Sequence, residues 1–193
     1  MPRIEEFDKE TVLKQAMNIF WEQGYNGTSM QDLVDATGLN RSSIYNSFGS
    51  KLELYQETLR NYQKDTGILF QRALLNATDP LDAIRRIFEG FLPEMTGQKR
   101  TNGCFSMNCK SEMGNRNEDV RRWLLATQEQ SLSTFQSLIH DGQEQGLINK
   151  NRDCRTYAFY VFNAFQGFRM TGILVSDTKI LKSIINQTIE LLQ

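Results

Sequence analysis

The chain has few of the residues that interrupt helices or mark a secreted or membrane protein. Its 193 residues include 3 prolines, so long helices meet few breakers. No uninterrupted apolar run approaches the roughly 20 residues that a membrane-spanning helix needs. The N-terminal stretch MPRIEEFDKE lacks the apolar segment of a signal peptide. We therefore expect a cytoplasmic protein that makes no contact with a membrane.

Cysteine and histidine are too sparse to suggest a metal or catalytic centre. Cys104, Cys109 and Cys154 cannot all pair within one chain, and their spacing matches no zinc motif. His140 is the single histidine, and we expect it to be solvated or near a helix end. The sequence has no glycine-rich phosphate loop and no carboxylate–histidine metal set. We therefore expect no metal, no cofactor and no enzymatic activity.

Apolar residues recur at helical spacing along almost the whole chain. The pattern predicts an all-α protein of about nine helices. A helix-turn-helix domain of three helices is predicted over residues 1–50, and a helical ligand-binding and dimerisation domain over residues 51–193. The first helix is predicted to end at Gly24. A later one, beginning at Thr78-Asp79-Pro80, is predicted to continue to about Met95.

Residues 27–51, GTSMQDLVDATGLNRSSIYNSFGSK, carry the most informative pattern. Thr28, with Gln31 three residues later, is predicted to cap a short helix that Gly38 closes. Asn40 then caps a second short helix that runs to about residue 46. Two short helices joined by a tight turn are typical of a helix-turn-helix. The residues predicted to face inward are Leu33, Val34, Leu39, Ile44 and Phe48.

The outward face of the second short helix suits a DNA major groove. Arg41 can bond guanine and Asn46 can bond adenine, while Thr28, Tyr45 and Lys51 are placed to contact phosphates. Residues 1–60 carry 6 basic and 9 acidic side chains, but residues 36–51 contain no acid. The alternative is a helical hairpin whose polar face only meets water. The predicted DNA-binding residues are Thr28, Arg41, Ser42, Ser43, Tyr45, Asn46 and Lys51.

Residues 8–60 resemble the N-terminal domain of the TetR/AcrR (tetracycline-repressor) family of bacterial regulators. The resemblance rests on FWEQGYNGTSM followed by LVDATGLNRSSIYNSFGSKLELY. It implies a homodimer that usually represses transcription, binds double-stranded operator DNA and is released by a small molecule. It also implies that the same seven residues face DNA. Further along, GCFSMNCKSEM and a long helix ending in EQGLI resemble one large group of the family.

The last two predicted helices indicate dimerisation. The first of them is apolar all round in its middle, which predicts burial on every side. In a chain this small, a partner subunit would cover one of its faces, and the two helices could form a four-helix interface. The alternative is that its aromatic residues are monomer core: Tyr157, Phe159, Tyr160, Phe162, Phe165 and Phe168.

A ligand pocket is expected among the helices of residues 81–173. Methionine and aromatic side chains suit an adaptable apolar pocket, so the expected effector is a small, largely apolar molecule. For each candidate lining residue the alternative, which the residue type alone favours, is plain core. The candidates are Phe88, Phe91, Met95, Met107, Trp123 and Phe162.

Cys104 is a candidate redox-sensing thiol. With Asn102 as a cap, it would lie in the first turn of a helix, where amide dipoles and the nearby Lys99 and Arg100 favour a thiolate. Helix geometry argues against a disulfide between Cys104 and Cys109, because five residues along a helix place their Cα atoms too far apart. The alternative is that Cys104 is a small buried apolar residue.

Two other classes of function compete with a DNA-binding regulator. An all-helical enzyme is disfavoured because the single histidine has no evident nucleophilic partner. A protein-binding module would be expected to expose apolar anchors, whereas residues 41–47 offer an arginine, hydroxyls and an amide. The sequence therefore favours a ligand-responsive repressor.

Overall fold

A computed structural model describes residues 7–96 and 102–193 of the chain. Throughout those ranges every regular element is a helix, which confirms the predicted all-α fold. No helix in them is both long and apolar enough to span a bilayer. The described residues form ten α-helices: α1 (Lys9–Gly27), α2 (Met30–Thr37), α3 (Arg41–Phe48), α4 (Lys51–Asn76), α5 (Pro80–Glu89), α6 (Leu92–Thr96), α7 (Phe105–Met113), α8 (Glu118–Glu144), α9 (Cys154–Thr171) and α10 (Thr178–Glu190).

The helix-turn-helix begins one residue later than predicted. Gly24, at φ 75°, interrupts α1 where the sequence predicted its end, although α1 continues to Gly27. The N-cap of α2 is Ser29 and not Thr28. The Ser29 hydroxyl accepts the Asp32 amide at 3.1 Å, and the Asp32 carboxylate accepts the Ser29 amide at 2.7 Å. The Thr28 hydroxyl instead donates to the Gly24 carbonyl at 2.7 Å. The reciprocal bonds between Ser29 and Asp32 satisfy two amides at the start of α2. Thr28 and Gln31 form no such pair.

The turn and the second short helix form as predicted. Gly38 adopts the left-handed conformation at φ 69° and ends α2. The Asn40 side chain accepts the Ser43 amide at 2.8 Å and so caps α3. Ser50 caps α4 with Glu53 as its reciprocal partner.

The helix predicted to run to about Met95 is two helices. Helix α5 ends at Glu89, with Gly90 as its C-cap residue, and the five-residue α6 follows it. The break has a local cause, because Pro93 has no amide hydrogen and its ring would clash with the carbonyl four residues earlier. Proline is tolerated only in a first turn, and α6 places Pro93 in its first turn.

Two hydrophobic clusters form the core, and α4 contributes to both. The N-terminal cluster joins α1–α3 to Leu54, Tyr55, Leu59 and Tyr62 of α4, and it also includes α7 and the start of α8. The C-terminal cluster joins Ala73 of α4 to α5, α8, α9 and α10. Apolar packing therefore continues across residue 51, where the sequence predicted a domain boundary.

Candidate nucleic-acid interface and cavity

The inner side of the helix-turn-helix is fixed by apolar burial. Leu33, Leu39, Ile44 and Phe48 are all at most 8% exposed, and Val34 is half-buried. Every residue that the sequence placed inward therefore packs inward, although Val34 does so only in part. Because α3 has a single packed face, its opposite face is held at the surface.

That opposite face presents hydroxyl, amide and guanidinium groups. Arg41, Ser42, Asn46 and Ser47 are exposed, and the Tyr45 side chain is 45% exposed. Ser43 is half-buried, so less of its side chain is exposed than the sequence suggested. The exposed set can donate and accept hydrogen bonds at base edges and at phosphates.

Two predicted phosphate contacts have different surroundings from those expected. Thr28 is only 1% exposed, and its hydroxyl donates to the Gly24 carbonyl, so its side chain is buried and not at the surface as the sequence suggested. The exposed hydroxyl at this helix end belongs to Ser29, which the S-x-x-D spacing with Asp32 could have revealed.

The Lys51 ammonium lies 4.4 Å from the centre of the Tyr25 ring. Partial burial lowers the pKa of Lys51, and the Glu112 carboxylate opposes that shift.

Glu112 of α7 connects the rest of the chain to this surface. Its carboxylate oxygens accept the amide hydrogens of Tyr25 at 2.8 Å and Asn26 at 2.7 Å. These amides follow the interruption of α1 at Gly24, immediately before the helix-turn-helix. Sequence reasoning missed this contact, because a separation of 86 residues or more gives no local pattern.

A buried guanidinium lies deeper between the helices. Arg169 of α9 is 6% exposed. Its Nη2 donates to the Tyr62 hydroxyl at 2.6 Å and to the Glu94 carboxylate at 2.9 Å, and its Nη1 lies 3.1 Å from the Cys104 sulfur. Burial alone would lower the pKa of Arg169, but Cys104, Tyr62 and Glu94 together raise it, so the group stays charged.

Two cavities share Tyr62, Thr66 and Arg169 in their walls. The larger has a volume of about 670 Å³ and is bounded by α1, α4, α6 and α9. The smaller has a volume of about 90 Å³ and lies between α4, α7, α8 and α9. Sequence reasoning missed Arg169, although an arginine in a helix predicted to be buried all round was a signal.

The predicted pocket residues divide between cavity wall and core. Met95 lines the larger cavity, while Met107 and Phe162 line the smaller one. Phe88 and Phe91 do not line either, because they are buried beside the Phe165 ring in the C-terminal cluster. Trp123 also lies outside both, because it packs on the N-terminal cluster.

The sequence predicted Cys104 in the first turn of α7, but Cys104 precedes the helix as its N-cap residue. Its side chain makes no capping hydrogen bond. Asn102 is not the capping residue, because the N-cap position belongs to Cys104; the backbone carbonyl of Asn102 accepts hydrogen bonds from the Trp21 indole and the Asn108 side-chain amide. The Cys104 side chain is 5% exposed and lines the smaller cavity. Lys99 and Arg100, expected to influence the thiol, lie outside the described residues.

Two family models match the chain. Residues 12–58 match that of the bacterial regulatory proteins of the tetR family. Residues 80–188 match that of the tetracyclin repressor-like C-terminal domain. The chain belongs to the TetR family. It is thus a helix-turn-helix transcriptional regulator with a C-terminal ligand-binding domain.

Relatives of this TetR-family regulator align along most of its length. YezE of Bacillus subtilis, an uncharacterized HTH-type transcriptional regulator, is 28% identical over 162 residues, 83% of this chain and 84% of YezE. DhaR of Mycobacterium sp. strain GP1, a transcriptional repressor, is 27% identical over 160 residues, 82% of this chain and 79% of DhaR. ComR of Escherichia coli, also a repressor, is 25% identical over 186 residues, 96% of this chain and 89% of ComR.

Solved structures of the family share the fold of this TetR-family regulator. A cysteine-substituted CifR complexed with 26-bp double-strand operator DNA superposes with a TM-score of 0.86 at 23% identity, covering 100% of both chains. SCO4454 of Streptomyces coelicolor superposes with a TM-score of 0.84 at 16% identity, covering 95% of this chain and 93% of that one.

Proposed function

We propose that this regulator is a repressor that binds a pseudo-palindromic operator as a homodimer and is released by a small molecule. The observation that carries the proposal is the exposed face of α3, where Arg41, Tyr45 and Asn46 project from a short, capped helix. The solved complex of CifR with operator DNA and the repressors DhaR and ComR support it. Two α3 helices of a dimer would read half-sites about one helical turn apart.

Gel retardation on the DNA that flanks the encoding gene tests operator binding. Arg41→Ala should weaken operator binding by about 1–3 kcal/mol and relax preference at one base pair per half-site, since a bidentate contact to guanine is lost. Arg122→Ala is the matched control, because Arg122 is an exposed arginine on α8. Equal binding by wild type and Arg41→Ala would place the recognition surface elsewhere.

Lys51→Ala should weaken binding to every DNA sequence alike. A phosphate contact releases counterions, so its loss should reduce the salt slope by about one per subunit. Retardation assays at several salt concentrations measure this slope. An unchanged slope would show that Lys51 remains on the Tyr25 ring and makes no phosphate contact.

The two last helices support the dimer. Phe159, Tyr160 and Met170 of α9 are 37–44% exposed in the single chain, and Ile180 of α10 is 48% exposed. Large apolar side chains that project from adjacent helices are typical of a protein interface. A second copy of the chain would cover them across a two-fold axis.

Release by an effector needs a wall shared between the cavity and the DNA-binding helices, and α4 and α7 provide one. Tyr62 lines both cavities and its ring meets the Trp21 ring of α1 edge-on at 5.2 Å. A hundredfold loss of operator affinity corresponds to about 2.7 kcal/mol of coupling. Small-molecule binders found by thermal shift, but without effect on operator retardation, would contradict the switch.

Redox sensing at Cys104 is a second candidate, favoured by the contact of its sulfur with Arg169. Cationic neighbours are typical of reactive cysteines. Hydrogen peroxide would oxidise the thiol by two electrons to a sulfenic acid, while its O–O bond breaks and water leaves. Peroxide should then release operator from wild type but not from Cys104→Ser, and equal responses would reject the role.

A further inference from the structure

We propose that the smaller cavity binds a small organic anion, a short-chain monocarboxylate, between the Arg169 guanidinium and the Lys110 ammonium. The proposal rests on the proposed function, because this cavity would be the effector site. It changes the sequence-based expectation of a largely apolar effector, since the ligand would carry a negative charge.

The charge of the cavity wall is the first argument. Among the described residues that line it, Arg169 and Lys110 are basic and none is acidic. The carboxylate that pairs with Arg169 belongs to Glu94, which lines the larger cavity, and its side chain is 41% exposed to water. A buried positive charge without a buried counter-charge favours an anion beside it.

The hydrogen bonds of Arg169 are the second argument. A guanidinium has five N–H donors in a fixed fork, and the contacts to Tyr62, Glu94 and Cys104 use three of them. On the cavity side, Nη1 points to the Cys104 sulfur, which is a weak acceptor. A carboxylate oxygen accepts from a guanidinium far more strongly. An entering carboxylate would therefore compete well with the thiol.

Lys110 supplies the second charge from α7. Its ammonium donates to the Gln128 side chain of α8 at 2.7 Å and lies 5.9 Å from the centre of the Phe162 ring. Gln128 and Phe162 both line the same cavity. The ammonium is thus held at the cavity wall by uncharged partners, which leaves its charge available to a ligand.

Size and the apolar wall select the class of anion. The cavity has an apolar side, against which the oxygens of an inorganic oxyanion would lack hydrogen-bond donors; it is formed by Phe70, Leu124, Phe162 and Phe165. An apolar cavity of about 150 Å³ admits benzene. A volume of about 90 Å³ therefore fits an acid of about three carbons.

Calorimetric titration of the full chain tests this with propionate, propionamide and inorganic phosphate as probe ligands. Propionamide matches propionate in shape but is uncharged, so it should bind at least about tenfold more weakly, as the loss of charged hydrogen bonds requires. Phosphate should also bind at least about tenfold more weakly. Lys110→Met should weaken propionate binding about tenfold, whereas Lys150→Met, at an exposed lysine bonded to Glu144, should not.

Arg169→Met should abolish propionate binding, with circular dichroism showing that the variant folds. If it does not fold, Lys110→Met decides. Equal affinity for propionate and propionamide, or wild-type affinity in Lys110→Met, would overturn the proposal. Phosphate binding as tight as propionate would overturn the organic class. Operator retardation without ligand is measured separately, so a protein that binds operator but not propionate contradicts only the cavity proposal.

Discussion

Single residues decide where the helices begin and which thiols react. The caps at Asn40 and Ser50 were predictable, because a polar residue before an apolar run is a local signal. Thr28 and Ser29 are adjacent and both suit an N-cap. Which of them caps α2 depends on the residue three positions later, and Asp32, which follows Ser29, forms the reciprocal bond. The position of Arg169 in a buried helix was a sequence signal, but its partners were not predictable, because they come from α4, α6 and the residue before α7.

At the same scale, Cys109 should resist alkylation. Burial raises the pKa of its thiol to about 11, so at pH 7.5 the thiolate, which is the reacting form, is scarce. Cys154 is half-buried and should react with iodoacetamide first. Mass spectrometry of a time course measures the order. In urea all three cysteines should react at similar rates, and labelling of Cys109 in the folded protein as fast as Cys154 would contradict the assigned burial.

Among the elements, α7 packs on α1 and, together with α4, supports the DNA-binding helices. Periodicity along the chain could not show that α7 packs on α1, because tertiary contacts leave no local pattern. For the same reason the sequence could not show that α7 brings Glu112 to the end of α1. The break between α5 and α6 was in principle readable from Pro93.

Glu112→Gln tests this role of α7. The change keeps the size of the side chain but replaces a charged acceptor by a neutral one. The hydrogen bonds from the Tyr25 and Asn26 amides should therefore weaken. The half-buried position limits the loss in free energy of unfolding to about 1 kcal/mol, and operator affinity should fall as well. Urea denaturation and retardation measure the two effects. Glu129→Gln, at an exposed glutamate of α8, should change neither, and wild-type values for Glu112→Gln would refute the role.

For the whole molecule, the fold class followed from periodicity, whereas assembly depends on side chains that a single chain leaves exposed. Phe165, one of the aromatic residues considered for the interface, is 5% exposed and belongs to the monomer core. Phe159 and Ile180 remain at the surface. The periodicity of α9 could not separate these two roles, because a helix apolar on all sides has no distinct outer face.

Phe159→Asp and Ile180→Asp should therefore produce monomers, since a charge in an apolar interface is costly to bury. Sedimentation velocity at micromolar concentration measures the state of assembly, and circular dichroism checks that the variants fold. Leu125→Asp is the control, because Leu125 is 54% exposed at the opposite, N-terminal part of α8. A well-folded monomeric wild type would exclude the proposed dimer.

Helix α4 gives the molecule mechanical leverage. Its 26 residues span about 39 Å at 1.5 Å per residue, and Tyr62 lies about 16 Å from the end at Lys51. If α4 pivots about Tyr62, a tilt of about 10° displaces Lys51 by about 3 Å. A movement of that size breaks a hydrogen bond, because donor and acceptor must stay within about 3.2 Å of each other. A ligand that displaces α4 at Thr66, a cavity residue about 6 Å from Tyr62, would therefore move Lys51 by nearly three times that displacement, beside the helices proposed to read the operator.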